Sequence, residues 1–414
     1  MTSYKQTELG LIPSDWEVVE LQNLTTFGGG TTPSRRLFDK YFKQGTRYWV
    51  KTLDLNNSLI TYTDEKITNL ALKETSLKEY PIGTVLVAMY GGFNQIGRTG
   101  LLAIPASINQ ALVAILPSSN ITPYYLIQNL NFNIEYWKSV ASSSRKDPNI
   151  TSNDVKKYKL SLPKSTAEQT AIATALSDTD ALLAELEKLL AKKQAIKTAT
   201  MQQLLTGKTR LPEFVHRADG TPKGSLKTEW GDIPEDWEVV ALGEYVNIFD
   251  NQRIPVSASN RIFGNIPYYG ANGIQDYVNG FTHDGEFVLV AEDGANDLIN
   301  YPVQYTTGKI WVNNHAHVLQ GKKNILCNKF LAYCISSMNI SHYLVGGTRA
   351  KLNGSTLKQI EILCPQYKEQ TAIAQILGDM DSEIKALQAR IEKLREIKQG
   401  MMQNLLTGKI RLPC

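Results

Sequence analysis

Apolar positions along this chain follow two regimes. Over residues 168–212, and again over 369–413, they recur at helical steps. Elsewhere they come in short bursts broken by Gly, Pro and Asn. In the second helical stretch Leu377, Met380, Ile384, Leu387, Ile391, Leu394, Met401 and Leu405 follow steps of three and four, with only Lys398 interrupting. Such sustained alternation predicts a coiled-coil seam. The first stretch is less regular: Leu176, Leu183, Leu186, Leu190 and Leu204 make one stripe, with Leu182, Leu189 and Ile196 beside it. The wider apolar face implies more than one packing neighbour. Both helices are expected to stop at Thr-Gly-Lys, where Gly207 and Gly408 can take the left-handed C-cap and Pro212 and Pro413 lie just beyond.

The two stretches are copies. EQTAIA…LLTGK…RLP returns after 201 residues without a gap, and the ends match best. A second repeat precedes each intervening segment: TELGLIPSDWEVVEL near the start and TEWGDIPEDWEVVAL after the first helix. Pro13 matches Pro234, and Trp16 matches Trp237. Each Pro-x-Asp-Trp is expected to turn the chain into a strand, with the Trp anchoring it to a core. The organisation is lead, globule, long helix, repeated once. Its segments are 1–161, 162–212, 213–363 and 364–414. The globules have diverged while their connectors have not, which suggests related tasks on different targets.

Both globules read as α+β units. The first has strand-like runs at Trp49–Thr52, Thr84–Met89, Gly100–Ile104 and Ala111–Leu116, then a helix from Pro123 to about Val140 with Thr122 as N-cap. The second has runs at Phe287–Ala291 and Ile310–Val312, then a helix from Lys329 to about Met338. GTVLVAMYGG loosely matches GEFVLVAEDGA, and each globule ends in a polar loop, SSSRKDPNIT or GGTRAKLNGS. Loops of that composition suit close approach to a ligand backbone. The fold class expected is therefore α+β: two globular domains alternating with two long helices that pair as an antiparallel coiled coil.

Composition narrows the classes. A chain of 414 residues is too long for one ordinary domain. No run of about 18 apolar residues is present, and the first residues lack an apolar signal core, so a membrane span and secretion are not expected. The four cysteines form no C-x-x-C pair, which favours a reducing cytoplasm over a disulfide framework or zinc site. Net charge is +4. Residues 1–161 carry 17 Lys and Arg against 13 Asp and Glu, but residues 213–363 carry 12 against 16. A nucleic-acid binder needs a local basic surface rather than a basic total. The acidic second globule keeps open a coiled-coil protein scaffold that reads no DNA.

No catalytic motif stands out. LLTGKT resembles the end of a phosphate loop, but the first Gly of such a loop would stand at Gln202, and the segment ends a helix rather than opening one. TFGGGT (26–31) hints at a glycine-rich cofactor loop, but no helix pattern follows. There is no Asn-Pro-Pro-aromatic tetrad of the kind that holds a flipped adenine. His315 and His317 alternate on an expected strand and would face one side together. Without a third ligand in view, polar surface or base contact is favoured over a metal pair.

The whole pattern resembles the specificity subunit of Type I restriction–modification systems. The resemblance spans essentially the entire chain. It rests on the paired IPxDWEVVxL leads, the paired EQTAIA…LLTGK…RLP helices, GGGTTPSR with YWVKTLDL, and IPYYGANGIQDYV with VLVAEDGA. It implies two target recognition domains, each reading one half of a split, asymmetric site in double-stranded DNA, with no active site in this chain. It also implies two modification subunits that methylate adenine with S-adenosylmethionine, and restriction subunits that use ATP and Mg. A helix of about 38 residues would span roughly 57 Å at 1.5 Å per residue, enough to set two readers apart on one duplex.

Residue type on polar loops selects the expected DNA contacts. In the first globule these are Thr31, Arg35, Arg36, Lys51, Tyr90, Asn94, Arg98, Arg145 and Lys146. In the second they are Arg253, Tyr269, Asn272, Asp293, Asn314, His315, Arg349 and Lys351. Arg and Lys reach guanine edges or phosphates, Asn reads adenine, and Asp accepts from cytosine. The near-identical helix ends, with Gln169, Gln370, Gly207 and Gly408, are expected to dock the modification subunits.

Overall fold

A computed structural model describes residues 3–92, 94–141, 148–346 and 350–412. The chain divides into two compact units, residues 1–187 with 389–414, and residues 188–388. Each unit therefore holds one globule and a portion of both long helices.

The first unit opens with a hairpin, β1 (Tyr4–Thr7) and β2 (Gly10–Pro13), that the sequence pattern did not announce. After Trp16, which is fully buried, comes β3 (Glu17–Glu20). The globule then runs through β4 (Phe27–Gly29), α1 (Phe38–Tyr41), β5 (Arg47–Val50), β6 (Ser58–Ile60), β7 (Glu65–Ile67) and α2 (Asn69–Glu74). It continues through β8 (Val85–Ala88), β9 (Thr99–Leu102), β10 (Ala106–Ile108) and β11 (Leu112–Ile115). The five-stranded sheet has the order β4-β11-β8-β9-β6, and a second sheet has the order β10-β5-β7.

Alternation explains why β8 reads as an unbroken apolar run. Val85 and Val87 join one core with the helices that follow, whereas Leu86 and Ala88 join another with Val50, Tyr80 and Ile108. A strand covered on both faces needs apolar residues at every position. The helix expected over 123–140 is two helices, α3 (Pro123–Phe132) and α4 (Ile134–Val140), broken at Asn133. There the Asn133 side chain donates to the Asn129 carbonyl and the Tyr158 hydroxyl instead of facing solvent. Then come α5 (Ser152–Lys156), β12 (Lys159–Leu162), which pairs with β3, and the long helix α6 (Thr166–Leu204).

The second unit repeats the scheme. Its lead hairpin is β13 (Ser225–Thr228) and β14 (Gly231–Pro234), followed by Trp237 and β15 (Glu238–Ala241). Then come α7 (Leu242–Tyr245), β16 (Val246–Ile248), β17 (Phe263–Gly270), β18 (Gly273–Val278), β19 (His283–Ala291), β20 (Val303–Val312) and β21 (Ala316–Gly321). They form one sheet, β16-β21-β19-β20-β17-β18. Both β20 and β21 are antiparallel neighbours of β19, yet Ile310 pairs with His283 and Ala316 pairs with Ala291. Only residues 313–315 join the two strands, too few to run the length of β19, so the sheet curls on itself. Phe287, Leu289, Ile310, Val312 and Val318 fill the curl. The unit ends with α8 (Asn328–Ser337), α9 (Gly354–Gln359), β22 (Glu361–Cys364), paired with β15, and the long helix α10 (Tyr367–Leu405).

The long helices are antiparallel within each unit. In the first, Asp180 pairs with Lys398 at 2.5 Å and Glu187 with Arg395 at 2.5 Å. In the second, Lys193 pairs with Glu383 at 2.6 Å and Lys197 with Asp381 at 2.5 Å. Lys398, the residue that interrupts the apolar seam, is thus a seam residue neutralised by Asp180. Leu182, Leu189 and Ile196 remain exposed on α6.

The copied ends close each unit. In the first, Arg411 bonds both Asp15 oxygens at 2.9 Å and also Glu168, and Glu168 accepts from the Trp16 indole at 3.2 Å. In the second, Arg210 bonds Asp236 at 2.7 Å and Glu369 at 2.9 Å, and Glu369 accepts from Trp237 at 3.2 Å. Gly408 and Gly207 take φ of +70° and +69°, as left-handed helix ends should, and a Cβ on either would overlap Pro13 or Pro234. Gln169 and Gln370 are each 1 % exposed. Gln169 accepts from the Thr122 amide and donates to the Pro163 carbonyl. Gln370 accepts from the Cys327 amide and donates to the carbonyls of Ile325 and Pro365. The expectation that these residues dock a partner is corrected by their burial: their polar groups are spent inside their own unit.

Candidate nucleic-acid interface

In the first globule the strand registers bring several loops to one rim. Gly29 at the end of β4 faces Val113, Ala88 at the end of β8 faces Leu112, and Val50 at the end of β5 lies beside Ile108. Backbone bonds lace the loops together: Thr31 N to Ile108 O at 3.0 Å, Asn109 N to Val50 O at 3.0 Å, and Met89 N to Ala111 O at 2.8 Å. Gly30 must be glycine here, because a Cβ would overlap the carbonyls of Ile108 and Asn109. Gly28 is a second close-packing position of the run, since a Cβ there would overlap the Tyr80 ring.

The segments that leave these strands carry Thr31, Arg35, Arg36, Lys51, Tyr90, Asn94 and Arg98. Arg35 bonds Glu65 at 2.6 Å and lies 4.3 Å over the Phe42 ring. Lys51 bonds Glu65 at 3.2 Å and Asp64 at 3.1 Å. Burial alone would raise the Glu65 carboxyl, but Arg35 and Lys51 hold it below the usual carboxylate range. The two cations are thus held in place by one acid. Arg36, Tyr90 and Asn94 are exposed, and Arg98 donates back to the Asn94 carbonyl at 3.0 Å, stiffening its loop. Arg145 and Lys146 lie outside the described residues.

In the second globule Asn272, Asp293, His315 and Lys351 line one cavity of about 640 Å³, together with Gln275 and Gly294. Asn272 comes from the β17–β18 turn, Asp293 follows β19, and His315 precedes β21. Asn272 donates to Gly294 O at 2.9 Å and accepts from Asn296 N at 2.9 Å, pinning the loop after β19. His315 bonds Asp293. Asn314 is exposed beside them, while Tyr269 is half-buried against the sheet core. Arg349 lies outside the described residues.

Arg253 requires correction. Its side chain is 13 % exposed and bonds Glu292 at 2.6 Å, Ala316 O at 2.9 Å and Asp250 O at 3.0 Å. Its side chain ties together the segments that carry Asp250, Glu292 and Ala316. The histidine expectation also changes. His315 is exposed, but His317 is buried, between Asp250 Oδ2 at 2.5 Å and Leu352 O at 2.8 Å. Both partners only accept, so both imidazole nitrogens carry protons. Burial opposes that charge, but Asp250 and the Leu352 carbonyl raise the His317 pKa above its ordinary value.

Asp250, Glu292 and His317 converge closely enough to suggest a cation site. The donor set does not fit one, because Arg253 and Lys351 already neutralise Glu292 and His317 has no unprotonated nitrogen to offer. Sequence reasoning missed Asp250 and Glu292. Glu292 could have been flagged, since it directly follows an apolar strand in VLVAEDGA.

Two globules of this build on a duplicated helical frame, each with a polar loop rim, define a class: DNA target-recognition proteins with two readers in one chain. Residues 13–198 and 234–396 match the Type I restriction modification DNA specificity domain, and the chain belongs to that family as a specificity subunit with two target recognition domains. It is 28 % identical to a putative Type I restriction enzyme specificity subunit of Methanocaldococcus jannaschii, over 99 % of this chain and 97 % of that one. A putative Type I specificity subunit of Haemophilus influenzae is 53 % identical over 33 % of this chain, and the match spans about a third, 35 %, of that relative. Among solved structures, the Type I S subunit of M. genitalium shares the fold, with a TM-score of 0.65 at 14 % identity, covering 94 % of this chain and 96 % of that one.

Proposed function

We propose that each globule reads one half of a split, asymmetric duplex sequence from its polar rim. The observation that carries this reading is the contrast between the units: matching clasps and helices, but different side chains at the rims. In the first unit the readers are Thr31, Arg35, Arg36, Lys51, Tyr90, Asn94 and Arg98, with Arg145 and Lys146. In the second they are Tyr269, Asn272, Asp293, Asn314, His315 and Lys351, with Arg349. Exposed Arg36 and half-buried Lys351 suit phosphates or guanine, Asn272 suits adenine, and Asp293 suits cytosine. The chain performs no chemistry itself. It works in the cytoplasm, carrying two modification subunits that bring S-adenosylmethionine and recruiting restriction subunits that use ATP and Mg. The exposed Leu189 and Ile196 on the second unit's part of α6 support a helical partner.

The test is binding of the chain, with its modification subunit, to duplexes differing in sequence. One split site should be preferred, and affinity should fall steeply as salt rises. Equal binding to all duplexes at moderate salt would leave the scaffold reading instead.

A further inference from the structure

The first unit carries a groove that the second unit has filled from within. Where α3 meets α6, two adjoining cavities of about 230 and 250 Å³ share Tyr124 and Ser177. Gln128 lines one of them. It is 4 % exposed, and its Nε2 donates to Asp180 at 2.8 Å, but its Oε1 is buried without a donor among the described residues. Thr122 Oγ1 lines the other in the same condition and does not cap α3. Ile127, Leu101, Ala181 and Ala184 supply an apolar wall, and Asp178 stands exposed at the mouth. Each cavity falls below the roughly 300–1,000 Å³ of small-ligand pockets and suits one long side chain.

The duplication identifies the occupant's chemistry. The Cys327 amide bonds Gln370 as the Thr122 amide bonds Gln169, so α8 corresponds to α3. Lys329 then stands for Tyr124, Tyr333 for Gln128, and Gly378 for Ser177. In the second unit the Tyr333 hydroxyl donates to Asp381 at 2.6 Å, and the Lys329 amine lies against Gly378, where a Cβ would overlap it. A tyrosine ring and a lysine of the same chain fill the place. In the first unit Tyr124 is 46 % exposed and the place is open.

We propose that this α3–α6 groove receives a lysine or arginine side chain from a protein partner, its stem along Ile127, Ala181 and Ala184 and its N–H donating to Gln128 Oε1. Buried acceptors are costly to leave unpaired, and Asp178, exposed at the mouth, favours a cation over a phosphate. That the partner is the modification subunit rests on the function proposed above.

The test uses the full chain coexpressed with that subunit, with assembly followed by native mass spectrometry and titration. One variant transplants the second unit's solution, Tyr124→Lys, Gln128→Tyr and Ser177→Gly together. Another is Asp178→Lys, at an exposed site whose change leaves the fold intact. Each should weaken assembly roughly tenfold or more. Wild-type assembly by both variants would overturn the groove proposal. Should the triple variant melt early, Asp178→Lys decides alone. If the wild-type chain forms no complex at all, the functional reading itself has failed.

Discussion

At Glu292 one carboxylate serves two cations, and that balance decides what each cation can do. Burial alone would raise the carboxyl, but Lys351 and Arg253 hold it below the usual range. Removing Arg253 leaves Asp250 and Glu292 with one fewer counter-charge in a half-buried place. Arg253→Ala should therefore destabilise the second unit by about 2–4 kcal/mol, because Lys351 and His317 remain to offset part of the loss. Chemical denaturation measures it; wild-type stability with selective loss of DNA binding would restore Arg253 as a contact. His317 makes a pH prediction of definite sign. Its folded pKa is raised above 6.5, so its contribution is full below that value and lost as pH rises through the folded pKa. The melting temperature should fall over that window and flatten in His317→Gln, as calorimetry across pH can check. That Asn272, Asp293, His315 and Lys351 would reach solvent was legible in sequence, because polar residues in Gly-rich loops stay at the surface. Arg253 was not, because its partners come from 39 and 63 residues away.

At the scale of elements, periodicity carried the long helices almost entirely. A seam repeats over many turns, so one charged residue such as Lys398 cannot hide it. Short strands were harder: β20 runs seven residues further towards the N-terminus than the Ile310–Val312 expected, because its outer residues pair on a curled sheet and need not be apolar. The lead hairpins, with only Ile12, Pro13, Ile233 and Pro234 near their ends buried, carry little pattern. Helix ends offer a paired test. Gly400 lies within α10 with nothing near its missing Cβ, whereas Gly408 closes the helix at φ +70° against Pro13. Gly400→Ala should stabilise by about 0.4–1 kcal/mol, and Gly408→Ala should destabilise by more than that. Urea titrations of the two variants must move in opposite directions; a shared direction would mean that the cap is not as described.

At the scale of the whole molecule, duplication makes a claim about independence. Each unit has its own core, its own Arg–Glu–Trp clasp and its own rim, so each rim can be altered within its own unit. Exposed contacts can be removed without touching the buried network beneath them. Asn314→Ala with His315→Ala alters the second rim and leaves Arg253, Glu292 and His317 paired. Arg36→Ala with Tyr90→Ala alters the first rim and leaves the Glu65 pairs intact. Each pair should lose discrimination at one half-site only, about 1–3 kcal/mol for each base readout removed. Competition with duplexes scrambled in one half or the other would assign the halves. Combining the four substitutions should give additive losses, since the sites share no partners. Coupling beyond about 0.5 kcal/mol, or loss at both halves from either pair, would show that the two readers act as one surface.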